Sequence, residues 1–296
     1  MKIAITGANS SVGQSLLKAI ADQASWQVHA GVRSESAAAS LPGAANIKPA
    51  VIDYNDPNGL ADWLQGVDCV IHLAGILIPG PGSSYQSANV DATAAVAKAA
   101  QNAGASHLIF ISVVGADSNS SNSYFRSKAD AERIALGNAV AASVIRTPIL
   151  LGPTTAGARS LLNSAAAPRA RVLGGGSYEI RPLDTDDLVQ AILNCCQSGG
   201  NNKIFELVGP QAISYRRLIE TMAGKMGKTA TIKSVPVSLA KAIAAISGLV
   251  RRGGITPTVI DVITRDETVE NNAAGELGVS LTPLDATLEK ILKANA

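Results

Sequence analysis

The chain has 296 residues, of which 47% are hydrophobic and 16% are charged. This composition is typical of a folded protein with one large domain or two unequal ones, and it excludes a disordered chain and a small disulfide-stapled module. Twenty-five basic residues nearly balance 23 acidic ones, and aromatic residues make up only 3% of the chain, so a nucleic-acid partner is not expected.

Short apolar segments alternate with helical patterns through the first half of the chain. Strands are predicted at residues 2–5, 26–32, 47–52, 69–73, 108–112 and 143–145, and helices at residues 12–20, 60–64, 89–102 and from about 128. Parallel strands need helical crossovers, which cover both faces of the sheet. The alternation therefore predicts a doubly wound parallel α/β sheet.

The pattern changes after Gly152 and Pro153, where the chain becomes richer in glycine and then mostly helical. Residues 178–210 are expected to return to the sheet, with a late strand at 205–208. The predicted division is therefore a sheet domain of residues 1–153 with 178–210, and a smaller, mostly helical region of residues 154–177 and 211–296.

The longest apolar stretch, residues 235–250, places Leu239, Ile243, Ile246 and Val250 at helical spacing. We expect these four residues to form the packed face of a helix. Binding to a membrane surface is the less favoured alternative. The stretch is too short to cross a bilayer, so no transmembrane segment is expected.

The sequence also bears on the compartment. From Lys2 the chain passes directly into an apolar run, which leaves no room for a secretory signal. We therefore expect a cytoplasmic protein. Three cysteines, Cys69, Cys195 and Cys196, form neither a disulfide framework nor a metal-binding pattern, and they are expected to be reduced.

The segment between the first strand and the first helix predicts a dinucleotide site. It reads Thr6-Gly7-Ala8-Asn9-Ser10-Ser11-Val12-Gly13. In such a turn the early glycine permits a tight bend, a small middle residue lets the backbone approach a pyrophosphate, and the last glycine lets the helix pack on the strand. The helix N-terminus adds free N–H groups and a partial positive charge. Ser10 stands where a glycine is usual, so its Cβ would crowd the pyrophosphate while its hydroxyl would offer a hydrogen bond.

The end of the second strand indicates which cofactor is bound. An acidic residue at this place, about 20 residues past the glycines, would bind the ribose of NAD. This chain instead has Gly31 and Val32 followed by Arg33 and Ser34. Because a guanidinium can bind a 2′-phosphate with two charge-assisted hydrogen bonds, NADP(H) is favoured over NAD(H). The alternative is that Arg33 is a solvated charge at a strand end.

Several later motifs extend this pattern through most of the chain. They are Asp53, Leu73-Ala74-Gly75, Asn89-Val90-Asp91-Ala92-Thr93, Tyr124-Phe125-Arg126-Ser127-Lys128, Ile145-Arg146-Thr147-Pro148, Arg181-Pro182-Leu183-Asp184 and Phe205-Glu206-Leu207-Val208-Gly209-Pro210. Together they resemble the extended and atypical short-chain dehydrogenase/reductase superfamily, which includes NAD-dependent epimerases and dehydratases. Residues 263–266 and 271–272 are similar, more loosely, to the subgroup that contains the nucleotide-binding accessory subunit of respiratory complex I and NmrA-like proteins.

The resemblance implies a Rossmann fold with a substrate-binding cap. It also implies that the lysine of the Tyr-Lys pair holds the nicotinamide ribose, and that a Ser or Thr at the end of strand five holds the substrate oxygen. Relatives of this kind often form homodimers. Besides the turn and Arg33, the resemblance places Asp53, Tyr54, Leu73, Ala74, Gly75, Asn89, Lys128 and Pro148 at the cofactor.

Tyr124 and Lys128 lie four residues apart, which places them on one face of a helix. A phenol has a pKa of about 10, so acid–base work near neutral pH needs a decrease of about three pKa units. The Lys128 ammonium, the cofactor and a nearby hydroxyl are expected to supply this decrease.

Two departures from the superfamily limit the functional prediction. Val113 stands where relatives have the catalytic hydroxyl, and Ser112, one position earlier, is expected to point to the other face of a regular strand. Thr147, Pro148 and Ile149 replace the segment in which epimerases carry a substrate-binding Asn, so a UDP-sugar substrate is not expected.

The sequence therefore predicts an oxidoreductase or epimerase/dehydratase that acts on a small carbonyl or alcohol. Tyr124 would be the general acid/base, assisted by Lys128 and Ser112. The alternative is a non-catalytic NAD(P)H-binding redox sensor or assembly factor.

Other chemistries are not supported. The scattered histidines are expected to have core or strand-edge roles rather than to bind metal; they are His29, His72 and His107. The acidic cluster before a predicted helix is expected to cap it; it comprises Asp184, Asp186 and Asp187. The chain has no GxSxG segment of a serine hydrolase.

Overall fold

The structure is a computed structural model that describes residues 1–21, 23–250 and 254–295. Its strands are β1 (Lys2–Thr6), β2 (Gln27–Val32), β3 (Ile47–Val51), β4 (Cys69–His72), β5 (His107–Val113), β6 (Ala141–Thr147), β7 (Leu150–Leu151), β8 (Arg169–Leu173), β9 (Glu179–Ile180), β10 (Leu183–Asp184), β11 (Lys203–Glu206), β12 (Ile213–Ser214) and β13 (Thr231–Val235). Its helices are α1 (Ser11–Ile20), α2 (Glu35–Ala39), α3 (Pro57–Trp63), α4 (Ala92–Asn102), α5 (Ser123–Leu136), α6 (Ala156–Ala166), α7 (Thr185–Ser198), α8 (Tyr215–Lys225), α9 (Val237–Val250), α10 (Pro257–Ile263) and α11 (Leu284–Ala294). A π-helical turn, Gln86–Asp91, leads into α4.

The central sheet has seven strands in the order β3-β2-β1-β4-β5-β6-β11. Every neighbouring pair is parallel, which confirms the predicted doubly wound sheet. The strand order reverses between β1 and β4, where Thr6 pairs with His72. In open α/β sheets, ligands bind in the crevice at the carboxyl ends of the strands at such a reversal.

Helices cover both faces of the sheet because its inner strands are apolar on both sides. On one face α1 and α7 pack on the side chains of Ile3, Ile5 and Ile109. On the other face the apolar residues of α3, α4 and α5 pack on Leu108 and Phe110. The strand alternation thus assigns even-numbered residues of β5 to the α5 side of the sheet.

A third apolar cluster lies in the smaller region. It joins α6, α8 and α11 and includes Leu161, Leu218, Met222 and Leu288. Two-residue strand pairs lie beside this cluster, β7 with β10 and β9 with β12, and Leu151 and Ile180 of these strands belong to it; β8 pairs with β13.

Helix α5 begins five residues earlier than the sequence predicts. Asn122 is its N-cap, and the side-chain oxygen of Asn122 accepts hydrogen bonds from the backbone N–H groups of Tyr124 and Phe125. Tyr124 therefore lies in the first turn of the helix, one turn before Lys128.

The expectation that residues 235–250 form a packed apolar face is wrong for the described side chains. Leu239, Ile243 and Ile246 are 54%, 58% and 66% exposed, whereas Ala244 is 7% exposed. Among the side chains described, the small Ala244 is therefore packed, while the large Leu239, Ile243 and Ile246 lie outside. Val250 lies outside the residues whose side chains are described. Within the described part of the chain, every helix is too short or too polar to cross a membrane.

Candidate functional site

The turn between β1 and α1 has the geometry of a phosphate-binding turn. Gly7 has φ of +70°, a conformation that favours glycine, and a Cβ added there would lie 3.0 Å from the backbone nitrogen of Ala74. Only a glycine therefore lets this turn approach the segment that follows β4. The first amides of α1, those of Ser11 and Val12, have no partner within the helix and are free to bind an anion.

Ser10 has a structural role besides the one expected from the sequence. It is the N-cap of α1, and its hydroxyl oxygen accepts a hydrogen bond from the backbone N–H of Gly13 at 3.1 Å. The Ser10 side chain thus stabilises the start of the helix. A serine immediately before an apolar helical pattern is the sequence signal that could have indicated this cap.

Gly13 lets α1 pack directly on the turn. A Cβ at this position would lie 2.5 Å from the backbone oxygen of Ala8, closer than real side chains come. The last glycine of the motif therefore sets the distance between the helix and the first strand, as expected.

A cleft of about 730 Å³ opens beside this turn, at the strand-order reversal. Its wall contains nine of the residues predicted to contact the cofactor: Gly7, Asn9, Ser10, Arg33, Asp53, Tyr54, Leu73, Ala74 and Gly75. The other predicted residues are outside the lining: Ser11, Val12, Gly13, Asn89, Lys128 and Pro148. The cleft is also lined by residues that were not predicted to contact the cofactor, of which Val32, Asp91 and Ala92 stand in segments noted in the sequence: Val32, Val51, Ile52, Asn55, Ile76, Gly82, Ser83, Ser87, Ala88, Asp91 and Ala92.

Arg33 lies exposed at the rim of this cleft, directly after β2. The next residue, Ser34, caps α2 by accepting a hydrogen bond from the backbone N–H of Ala37. Asp53, also in the cleft, accepts hydrogen bonds from the backbone and side-chain nitrogens of Asn55. Arg33 therefore lines the cleft at the place where the second strand ends.

A buried chain of hydrogen bonds runs beneath the cleft floor. The Thr93 hydroxyl donates to the backbone oxygen of Asn89 at 2.6 Å, so it accepts from His72 Nε2 at 3.1 Å. His72 Nδ1 then accepts from the Thr6 hydroxyl at 2.6 Å. Burial lowers the pKa of His72 to about 3, and the charge of Lys128 adds to this effect. The imidazole is therefore neutral and joins the ends of β1 and β4 to α4.

Asn89 links the cleft to α5. Its side-chain oxygen accepts from the backbone N–H of Ile76 at 2.8 Å, and its side-chain nitrogen donates to the Ser127 hydroxyl at 3.0 Å. The segment after β4 is thus fixed to the helix that carries Tyr124 and Lys128.

The Lys128 ammonium is buried between the cleft wall and the sheet. It donates to the backbone oxygen of Ile111 at 2.9 Å and lies 4.2 Å from the centre of the Phe110 ring. A Cβ added at Gly75, which lines the cleft, would be 3.8 Å from this nitrogen. Burial lowers the pKa of Lys128 to about 8, and the charge of Glu132 partly offsets the decrease.

Tyr124 is half-buried one turn earlier, with its ring 5.8 Å from that of Tyr85. Its hydroxyl makes no hydrogen bond to the part of the chain that the structure describes. Burial raises the pKa of Tyr124 well above its ordinary value, and Tyr85 raises it further. The expected decrease of this pKa is therefore absent in the protein itself, and the phenol is protonated near neutral pH.

Ser112 points to the face of β5 opposite to that of Val113, as expected for a regular strand. It lies on the same face of β5 as Phe110, whose ring contacts the Lys128 ammonium. Ser112 is buried, and its hydroxyl oxygen has no hydrogen-bond partner among the described residues. Val113, at the last position of the strand, instead lines a small cavity with Phe125 and Arg265.

Arg146 on β6 fixes the middle of α5. Its guanidinium makes two hydrogen bonds to the buried Glu132 carboxylate, at 2.9 and 2.7 Å, and contacts Glu206 of β11 at 3.3 Å. Glu132 lies one turn after Lys128, so this ion pair holds the helix of the Tyr-Lys pair against the sheet.

The cysteines, the capping residue Asp184 and the other two histidines lie within the fold rather than in the cleft. The cysteines are free and buried. Asp184 is the N-cap of α7, as expected for the acidic cluster. His29 contacts the backbone oxygen of Trp63, and His107 contacts the Ser143 hydroxyl.

The parallel sheet, the glycine turn and the cleft at the strand reversal together define a dinucleotide-binding α/β protein. Residues 7–166, more than half of the chain, match the NAD(P)H-binding family. The chain belongs to this family, and the resemblance noted in the sequence is confirmed at that level.

Two curated proteins are similar in sequence. NADH dehydrogenase [ubiquinone] 1 alpha subcomplex subunit 9, a mitochondrial protein of Arabidopsis thaliana, is 25% identical over 209 residues, which cover 67% of this chain and 50% of that protein. Ceramide reductase of Caulobacter vibrioides is 27% identical over 198 residues, which cover 66% of this chain and 61% of that protein. The chain thus spans between half and two thirds of the length of these relatives.

Solved structures share the whole fold. MoeE5 in complex with UDP-glucuronic acid and NAD has a TM-score of 0.76 at 19% identity, covering 100% of this chain and 99% of that one. UDP-glucuronic acid 4-epimerase from Bacillus cereus, with NAD and a fluorinated sugar nucleotide, has a TM-score of 0.75 at 18% identity, covering 99% of both chains. At these identities the likeness concerns the fold.

Proposed function

We propose that this protein is an NADP(H)-dependent oxidoreductase of the short-chain type that reduces a small-molecule carbonyl. The observation that supports this most directly is the position of Tyr124, a protonated phenol one turn from Lys128 on α5, the helix that Asn89 joins to the segment after β4. A protonated phenol is in the form that a general acid requires, so it fits protonation of a carbonyl oxygen during reduction.

The cofactor would be held by the Gly7 turn, the first amides of α1 and the wall of the cleft. The reduced nicotinamide, when bound, supplies a hydride. Tyr124 then donates its proton to the carbonyl oxygen. Lys128, with a pKa of about 8, is mostly charged near neutral pH and stabilises the phenolate that remains.

Ser112 assists in this proposal by binding the substrate oxygen. Its hydroxyl is buried at the end of β5 without a protein partner, and a buried hydroxyl of this kind gains most from a ligand that pairs with it. Arg33 would bind the 2′-phosphate, because its guanidinium lies at the cleft rim without an acidic residue at the end of β2.

The proposal is tested by following NADPH oxidation with a panel of aldehydes and ketones, for the wild type and Tyr124→Phe. We expect the variant to lose about a hundredfold or more in kcat, because positioned general acids contribute roughly that much, while its Kd for NADPH stays within about twofold. Tyr178→Phe is the matched control, because the Tyr178 ring stacks on that of Tyr215 at the third apolar cluster, and this variant should behave as the wild type does.

Equal consumption of NADPH by the wild type and Tyr124→Phe would contradict the catalytic role of Tyr124. Calorimetric titration with both cofactors tests the preference, and tighter binding of NADH than of NADPH would contradict the role of Arg33. Failure to bind either cofactor would contradict the proposed function as a whole.

A second candidate is a protein that binds NAD(P)H without turnover. Val113 at the usual place of a catalytic hydroxyl favours it, as does the similarity to a subunit of an NADH dehydrogenase complex. Tight NADPH binding with no oxidation of the cofactor by any carbonyl would support this candidate.

A further inference from the structure

The outer face of α9 exposes three large apolar side chains. Leu239, Ile243 and Ile246 are separated by four and three residues, so they lie within one stripe of the helix. They are 54%, 58% and 66% exposed, while Ala244 on the opposite side is buried. We call Leu239, Ile243 and Ile246 the α9 face. An ordinary amphipathic helix has the reverse arrangement, with its large apolar residues inside.

The sequence around the α9 face is strongly basic although the chain as a whole is nearly neutral. Between Glu220 and Asp261 there is no acidic residue. The same stretch contains six basic residues, Lys225, Lys228, Lys233, Lys241, Arg251 and Arg252. Because the net charge of the whole chain is only +2, the rest of the molecule is net acidic.

Two of these cations are paired within the protein. Lys225 forms ion pairs with Asp285 and Glu289, and Lys241 forms one with Asp261. The charges of Lys225 and Lys241 are therefore balanced within the protein, and these residues are not counted among the cations that would attract a partner.

Cations without an ion pair are found on the strand that leads into α9, β13, and on its neighbour β8. Lys233 of β13 lies opposite Arg171 of β8 in the parallel register, and Arg169 lies two residues earlier on the same face of β8. All three are exposed, and none forms an ion pair with a described residue. Strand β13 ends at Val235, two residues before α9 begins. An exposed basic strand pair thus adjoins an exposed apolar helix face.

We propose that this region docks on the surface of an anionic lipid bilayer, with the α9 face inserted at the interface and the basic residues of β8 and β13 near the lipid head groups. Amphipathic helices bind membranes through buried apolar area together with attraction of Lys and Arg to anionic lipids. A second copy of this chain fits the face less well, because it would bring another free basic patch. The helix is too short to span the bilayer, so the attachment is peripheral.

The test is flotation of the full chain with phosphatidylcholine vesicles and with vesicles of equal parts phosphatidylcholine and phosphatidylglycerol, without cofactor. We expect the protein to float with the anionic vesicles and to remain largely free with the neutral ones. Binding should weaken as salt is added, since each Lys or Arg near an anionic surface contributes about fivefold to affinity. Because the measurement needs no cofactor, its outcome is independent of the proposed enzymatic activity.

The variants separate the apolar and the electrostatic contributions. Ile246→Ser should weaken vesicle binding about tenfold, and Leu239→Ser, Ile243→Ser and Ile246→Ser combined should abolish it. Ile78→Ser is the matched control, because Ile78 is an exposed isoleucine at 46% in another part of the molecule; this variant should bind as the wild type does. Arg171→Gln with Lys233→Gln should reduce binding to the anionic vesicles and leave the α9 face intact.

Unchanged binding of the combined α9 variant, in a protein that unfolds at the same temperature as the wild type, would overturn the proposal. Equal binding to neutral and anionic vesicles would also overturn it. If the wild type binds no vesicles, and sedimentation shows a dimer that the combined variant cannot form, then a second copy covers the α9 face and the proposal is wrong. If the combined variant fails to fold, the Arg171→Gln, Lys233→Gln variant and the salt dependence of the wild type decide the question.

Discussion

Gly13 and Gly224 both lie in helices, but the space around the two residues differs. A Cβ at Gly13 would lie 2.5 Å from the Ala8 backbone oxygen, whereas nothing lies within 4 Å of a Cβ at Gly224 in α8. Alanine is otherwise the better helix former by roughly 0.5–1 kcal/mol.

We therefore predict opposite effects of the two substitutions on stability. Gly13→Ala should lower the free energy of unfolding by about 2 kcal/mol, because α1 must move away from the turn, and it should weaken cofactor binding. Gly224→Ala should raise the free energy of unfolding by about 0.5 kcal/mol. Urea unfolding of both variants measures this. Equal or reversed effects would show that α1 does not depend on Gly13 for its position.

At the scale of single residues, the sequence predicted the geometry of the glycine turn better than the surroundings of Tyr124 and Ser112. The tasks of Gly7 and Gly13 follow from backbone geometry, which the motif encodes locally. The raised pKa of Tyr124 depends on burial and on Tyr85, which is distant in the sequence. The unpaired state of the buried Ser112 hydroxyl likewise depends on which elements pack around the end of β5, and the local sequence does not encode this.

Among the elements, α5 depends on one buried ion pair for its position. The Arg146 guanidinium makes two hydrogen bonds to the Glu132 carboxylate, which is almost fully buried, whereas Glu206 is more exposed. Removing one partner of a buried pair leaves an uncompensated charge, while replacing both with apolar residues is often tolerated.

Arg146→Leu should therefore lower the free energy of unfolding by about 3 kcal/mol. Glu206→Gln should lower it by less than about 1 kcal/mol, and Arg146→Leu combined with Glu132→Leu should restore part of the loss. Urea denaturation of the three variants measures these values. A double variant as unstable as Arg146→Leu would mean that Glu132 is not left as an uncompensated charge in the single variant.

At the scale of elements, the strands of the sheet were predicted to within a few residues because each is a short apolar run bounded by polar turns. The start of α5 was missed since its cap, Asn122, precedes a first turn that has no apolar periodicity. The exposure of α9 was missed for another reason. Periodicity identifies which residues share a face, but it does not show what covers that face.

The molecule as a whole should lose stability in mild acid. Burial lowers the pKa of His72 to about 3 and that of His107 to about 4, from 6.5. Below pH 6.5 the unfolded chain therefore binds protons that the folded protein excludes, and the free energy of unfolding falls with the pH until the folded pKa values are reached. Asp187 and Glu267, whose pKa values burial raises, act in the opposite direction nearer their own range.

We expect the free energy of unfolding to fall by about 2.5 kcal/mol between about pH 7 and about pH 5.5 from the two histidines together. His72→Gln should reduce this decrease by about half. Urea unfolding at several pH values measures both quantities. A free energy of unfolding that does not change over this range would mean that both imidazoles accept protons in the folded protein.

At the scale of the whole molecule, the doubly wound sheet could be predicted because every crossover leaves an alternating pattern in the chain. The short strands beside the third apolar cluster could not be predicted, since β7, β9, β10 and β12 have two residues each and show no periodicity. The division of the chain into two domains stays a prediction.

The path of the chain after α10 limits how the protein can be divided. Glu267 accepts hydrogen bonds from the backbone N–H groups of Ile149 and Arg181, Asn272 pairs with the backbone of Val208, and Leu277 enters the core beside α1 and α7. The segment from Glu267 to Leu277 therefore returns to the sheet and holds the two parts of the chain together. A chimera that exchanges the smaller region for another one would have to keep this segment together with its partners.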